Sequence, residues 1–174
     1  MKQKKVFFSF CPLFLALCFF AAHAVAADFN ELYQQGRTAL EDGKLQTALF
    51  YLEQAVVKKN DHAEVLQDLG YCYARLNRLE EAFRVLEKAS QIAPDNMKIK
   101  QDFGAILVKM KQWKNALKIF DEILLKTPDM AMAHFNRGLV YMALQKTNLA
   151  QAEYEILLRL DPKLAKDLFQ FIYL

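Results

Sequence analysis

Four of the five glycines in this 174-residue chain, Gly36, Gly70, Gly104 and Gly138, stand 34 residues apart. Four alanines, Ala48, Ala82, Ala116 and Ala150, follow at a constant distance behind them. A fixed period of this length is the mark of a stacked-repeat architecture. Glycine inside a helix costs about 1 kcal/mol relative to alanine, so its return at one phase calls for a common cause, and close approach between helices supplies one.

Counting back from each glycine divides the chain into blocks 29–62, 63–96, 97–130 and 131–164, with no residue inserted or lost between them. Within each block the apolar residues fall at helical spacing in two runs. In the second block these are Val65, Leu66, Leu69 and Tyr73, then Leu79, Ala82, Val85, Leu86 and Ala89. Each block therefore reads as a helix hairpin. Gly43 and Asn77 share one phase between the two runs, where a left-handed residue ends a helix; Lys111 and Gln145 stand there later, a weaker signal. Pro94, Pro128 and Pro162 share another phase and mark the end of each second helix. Asp95 or Asn96, and Asp129, are available to cap the helix that follows, and Asp28 with Glu31 has the spacing of a capping box.

Before the repeats, Lys2, Lys4 and Lys5 precede an uncharged stretch that ends in small residues at Ala24-Val25-Ala26-Ala27. This is the layout of a secretory signal peptide over residues 1–27, cleaved after Ala26 or Ala27. Uncleaved, the stretch is long enough to anchor the chain in the inner membrane. Cys18 is a poor lipid-attachment site because Leu17 stands where a small residue is wanted. The three lysines account for the formal charge of +3, and without them 20 basic residues face 20 acidic ones. The mature part, residues 28–174, is nearly neutral, which argues against nucleic acid as a partner. Cys11 and Cys18 leave with the leader, so Cys72 has no partner for an internal disulfide.

These residues resemble the tetratricopeptide repeat family, whose 34-residue unit places apolar residues, Leu-Gly, Tyr, Ala, an aromatic, Ala and Pro at fixed positions. The second block matches best, with Leu66, Leu69, Gly70, Tyr73, Ala82, Leu86, Ala89 and Pro94. The third supplies Phe103, Gly104, Ala116, Phe120 and Pro128, and the fourth Gly138, Tyr141, Ala150, Tyr154 and Pro162. The first keeps Gly36, Ala48 and Ala55 and diverges most, as a terminal repeat does. The resemblance implies an all-α, right-handed superhelical solenoid of four hairpins, with residues 165–174 as a C-terminal capping helix. Leu164, Leu168, Phe171 and Ile172 are spaced to pack that helix onto the last hairpin, leaving Phe169, Tyr173 and Leu174 over.

No catalytic constellation stands out. His62 and His134 each lack a second histidine at metal-ligand spacing, and His134 reads as a packed structural residue. Cys72 reads as a small buried hydrophobe. The acid pairs Glu80-Glu81 and Asp121-Glu122 read as solvated helix faces. No enzyme activity, cofactor or metal is expected. The resemblance instead implies a concave groove lined by the first helix of each hairpin, through Tyr33 and Arg37; Gln67, Tyr71 and Arg75; Lys98, Gln101 and Lys109; and Met132, Phe135, Leu139 and Met142. Lysine and asparagine used by some members to clamp a carboxylate tail are replaced here by Tyr33 and Arg37.

The sequence thus points to an exported, periplasmic, non-catalytic adaptor. It would hold a peptide segment or helix of a partner protein in the assembly of an envelope, pilus or secretion complex, and touch a membrane only through an uncleaved leader. Self-association through the apolar C-terminal helix is the second reading.

Overall fold

The structure is a computed structural model and describes residues 28–174. The leader, with its lysines and two cysteines, lies outside the described residues. Among the described residues there are nine helices and no strands. They run α1 (Phe29–Glu41), α2 (Leu45–Lys58), α3 (Ala63–Arg75), α4 (Leu79–Ile92), α5 (Met97–Lys109), α6 (Trp113–Lys126), α7 (Ala131–Ala143), α8 (Thr147–Leu160) and α9 (Pro162–Tyr173). The chain forms two compact units divided between Lys59 and Asn60.

In the first unit α1 pairs with α2. Asp28 caps α1 by accepting the N–H of Glu31 at 2.8 Å. Leu32, Ala48, Leu52 and Ala55 are fully buried between the two helices. A methyl on Gly36 would stand 2.8 Å from Leu52 Cγ, so the glycine lets the helices come together.

The second unit contains three hairpins, α3–α4, α5–α6 and α7–α8, and the final helix α9. Val65, Leu86, Ile99, Phe120, Ile123, Val140 and Leu157 fill its interior. A methyl on Gly70 would meet Leu86 Cγ at 2.5 Å, and one on Gly104 would meet the Phe120 ring at 2.8 Å. Ala82, Ala116 and Ala150 are wholly covered. The periodic small residues are therefore the contact points of the hairpins.

All four hairpin turns have one geometry. Gly43, Asn77, Lys111 and Gln145 have φ of 72°, 59°, 58° and 58°. In each, the next residue returns its N–H to a carbonyl five residues back: Lys44 to Ala39, Arg78 to Tyr73, Gln112 to Leu107 and Lys146 to Tyr141. This double-bonded ending satisfies carbonyls left open by the first helix. The turn persists at Lys111 and Gln145 although neither residue favours it, because the packing of the hairpin overrides local preference.

At the other ends, α4, α6 and α8 stop at Ile92, Lys126 and Leu160, two residues before each proline. Asn96 caps α5, accepting from Lys98 and Ile99 at 3.1 and 3.2 Å. Asp129 does not cap α7, which starts after Met130 without a side-chain bond. The expected capping helix 165–174 begins three residues earlier. Asp161 both ends α8 and caps α9, accepting from Lys163 and Leu164 at 3.0 and 3.1 Å, while Pro162 takes the first helical position, where its missing N–H costs nothing.

Candidate protein-binding surface

The residues implied as groove positions all lie on first helices. Tyr33 and Arg37 are on α1 in the first unit, and the other ten are on α3, α5 and α7 in the second. There α5 touches both α3 and α7, so the three first helices form one surface.

On α3, Tyr71 is 47% exposed, and Arg75 donates to its hydroxyl at 2.7 Å while lying 5.7 Å from the ring centre. On α5, Lys98 and Lys109 are exposed at the two ends of the helix. Gln67 and Gln101 are half-buried. Gln67 donates across the helices to Asp102, a half-buried acid that spacing did not single out. Burial pushes the Asp102 carboxyl above its ordinary range, partly countered by the Gln67 hydrogen bond and the charge of Lys98. Loss of water disfavours the carboxylate form, and the amide and ammonium restore part of that loss.

On α7 the surface turns apolar. Met132 is 42% exposed and Met142 half-buried. Phe135 and Leu139 are also half-buried, packed against a cluster of Leu157, Ala165 and Leu168, two of which belong to α9. The terminal helix thus covers part of the apolar end. Phe171, expected to pack inward with Leu164, Leu168 and Ile172, is instead 59% exposed. Phe169 lies against Tyr154 and Tyr173, with ring centres 5.8 and 4.5 Å apart. Ala165 and Leu168 are the buried residues of α9, and Phe171, three residues after Leu168, lies on the side turned away.

Beneath α7 lies an ionic cluster that spacing did not announce. His134 and Glu153 are 5% and 4% exposed. Nδ1 of His134 is 2.6 Å from Glu153 Oε2, and Nε2 is 2.7 Å from the Pro128 carbonyl. Arg137 donates to Glu153 at 2.9 Å and to Asp121 at 2.8 Å. Burial alone would lower the Arg137 pKa, but its bonds to Asp121 and Glu153 outweigh that and hold it above the ordinary value. Asp121 and Glu122 are solvated as expected, with side chains 53% and 42% exposed, and they also pair with Arg137 and with Lys100 respectively. At the same phases the second hairpin has Leu66, Leu69 and Val85. An apolar core in one hairpin is thus replaced by a paired ionic one in another. Cys72 is fully buried. Among the described residues, no group of three or more His, Cys, Asp or Glu side chains could hold a metal ion.

Hairpins of fixed length, joined at a glycine notch and presenting one face of first helices, define a helical-repeat scaffold. Comparison with protein families matches tetratricopeptide repeats over residues 39–95, 77–135 and 131–164. The chain belongs to the tetratricopeptide repeat family, and its fold is an all-α helical solenoid. Among solved structures it is similar to MamA (residue 41 to the end) from Desulfovibrio magneticus RS-1, with TM-score 0.71 and 23% identity over 84% of this chain and 94% of that one. It is also similar to a further MamA crystal structure, with TM-score 0.74 and 20% identity over 84% of this chain and 85% of that one. A tetratricopeptide repeat protein from Parabacteroides merdae ATCC 43184 gives TM-score 0.72 and 22% identity over 83% of this chain and 58% of that one. At these identities the likeness is one of fold. No curated protein matches the sequence. As a member of this family the chain is a scaffold for protein–protein interaction.

Proposed function

We propose that the chain is an exported, non-catalytic adaptor that holds a segment of a partner protein on the face lined by α3, α5 and α7. The observation that carries this reading is the gradient along that face: exposed cations at Arg75, Lys98 and Lys109 give way to Met132, Phe135, Leu139 and Met142 on α7. A partner segment with acidic groups at one end and apolar anchors at the other complements it. The methionines adapt to anchors of different shape. The leader directs the chain to the periplasm, where assembly of an envelope, pilus or secretion complex supplies such partners.

Capture of partners from periplasm with the wild-type chain and with a Lys98→Glu, Lys109→Glu, Met132→Ala variant tests this. The variant is expected to lose one or more partners; identical sets would remove this face from the function. A second reading, self-association, is favoured by the outward side of α9, where Phe171, Tyr173 and Leu174 are 59%, 50% and 97% exposed. Light scattering of the wild type and of a Phe171→Ser, Leu174→Ser variant separates the two.

A further inference from the structure

α9 is held to the last hairpin chiefly by apolar contact. Leu168 is wholly buried, Ala165 is 1% exposed, and both rest on Leu157. A methyl on Gly138 would stand 2.6 Å from Leu168 Cδ2, so the leucine tip fills the notch left by the glycine. Leu164 and Ile172 flank it, and beneath them lie Phe135 and Leu139, apolar residues of the proposed binding face.

The ties other than apolar contact are few. Ion pairs join α5 to α6 through Lys100 and Glu122, and α7 to both α6 and α8 through Arg137. Among the described residues none joins α9 to its neighbours. Its one side-chain hydrogen bond to them is that of Gln151 to the Tyr173 hydroxyl, 3.1 Å and exposed. A single residue, Asp161, links it to α8, and Pro162 prevents the two from merging into one helix.

We propose that α9 is a removable plug, and that the surface beneath it receives an amphipathic helix of a partner protein built on the same pattern. The seat states that pattern because a helix already fills it. It takes large apolar residues at three positions spaced by four, as Leu164, Leu168 and Ile172 are, with a small residue directly after the first, as Ala165 is. The middle residue must be slim enough at its tip to enter the Gly138 notch, which favours leucine. The proposal rests on the reading that the face of α3, α5 and α7 binds protein, and names the occupant of its apolar end. A closed plug lowers the apparent affinity by the fraction of molecules that are open, so the scaffold is restrained until its partner competes.

The probe is a labelled peptide of residues 161–174, added to the whole chain and followed by fluorescence anisotropy. In the chain, Leu164→Ala with Ile172→Ala loosens the plug without touching its seat, and is expected to tighten peptide binding at least about tenfold. Leu168→Ala in the peptide is expected to weaken it by a similar factor. Hydrogen exchange of the unaltered chain gives an independent readout: the amides of α9 are expected to exchange before those of α7 and α8. Exchange of all three helices in step, or equal peptide affinity in the loosened chain, overturns the plug. A dimer in light scattering that excess peptide dissolves assigns the seat to a second copy and overturns the foreign partner. Peptide binding that fails while capture still depends on Lys98 and Lys109 defeats the plug alone and leaves the proposed function standing.

Discussion

Leu168 of α9 fills the notch at Gly138, whereas in the earlier hairpins the notch at Gly36, Gly70 or Gly104 is filled by Leu52, Leu86 or Phe120 of the hairpin's own second helix. Tyr154 holds that phase in the last hairpin and is displaced to the side, against Phe169. Closure of the last hairpin therefore depends on a helix outside the repeat.

Replacing these glycines by alanine is expected to have unequal effects. At Gly70 the new methyl meets Leu86 Cγ at 2.5 Å, an atom fixed near its own backbone, and the cost is about 1–3 kcal/mol of overpacking, less the helical gain of alanine. At Gly138 the nearest atom is the tip of Leu168, which a small movement of α9 can relieve. Urea unfolding should show a loss for Gly70→Ala that exceeds that for Gly138→Ala. Hydrogen exchange should place the damage of the latter in α9.

The ionic cluster predicts strong non-additivity. Glu153→Ala removes the buried partner of His134 Nδ1 and one of the two partners of Arg137, and is expected to cost about 1–3 kcal/mol, the usual penalty for leaving buried polar groups unsatisfied. Transferring the second hairpin's residues as a set, with His134→Leu, Arg137→Leu and Glu153→Val, removes donors and acceptors together. Thermal unfolding should find the triple variant at least as stable as the wild type and far more stable than Glu153→Ala.

Asp102 sets a pH dependence of known sign. Burial raises its folded pKa above the unfolded value, so the folded state binds the proton more tightly. Stability is then greatest below the unfolded pKa and falls as pH rises through the folded one. Asp102→Asn keeps an oxygen to accept from Gln67 and has no charge to desolvate. It should gain stability over the wild type at neutral pH and lose that advantage in acid, as measured by urea midpoints across the range.

The turn residues offer a gain. Lys111 and Gln145 are exposed side chains held at φ of 58°. Lys111→Gly and Gln145→Gly should each stabilise by up to about 1 kcal/mol, because glycine adopts this conformation without the Cβ penalty. Asn77→Gly should gain less, since asparagine tolerates it better. Thermal melts of the three variants rank the effect.

The sequence by itself determined the number of hairpins, the positions of the turns between their helices and the close approach at Ala48, Ala82, Ala116 and Ala150, because helical spacing and turn chemistry are local and repeated in phase. It also placed the candidate binding residues on first helices. The tertiary structure alone decided which of them are available. Phe135 and Leu139, unlike exposed Met132, pack against the cluster of Leu157, Ala165 and Leu168, a contact that no spacing on α7 reports. The roles of Glu153 and Asp102 were likewise invisible, since an acid on a helix is ordinarily solvated and its burial depends on partners 19 and 35 residues away. The rotation of α9 that turned Phe171 outward and sent Leu168 to Gly138 is set by its packing on α7 and α8, far from it in the repeat pattern. Periodicity shows which residues share a face, while the surroundings of that face depend on parts of the chain far away in sequence.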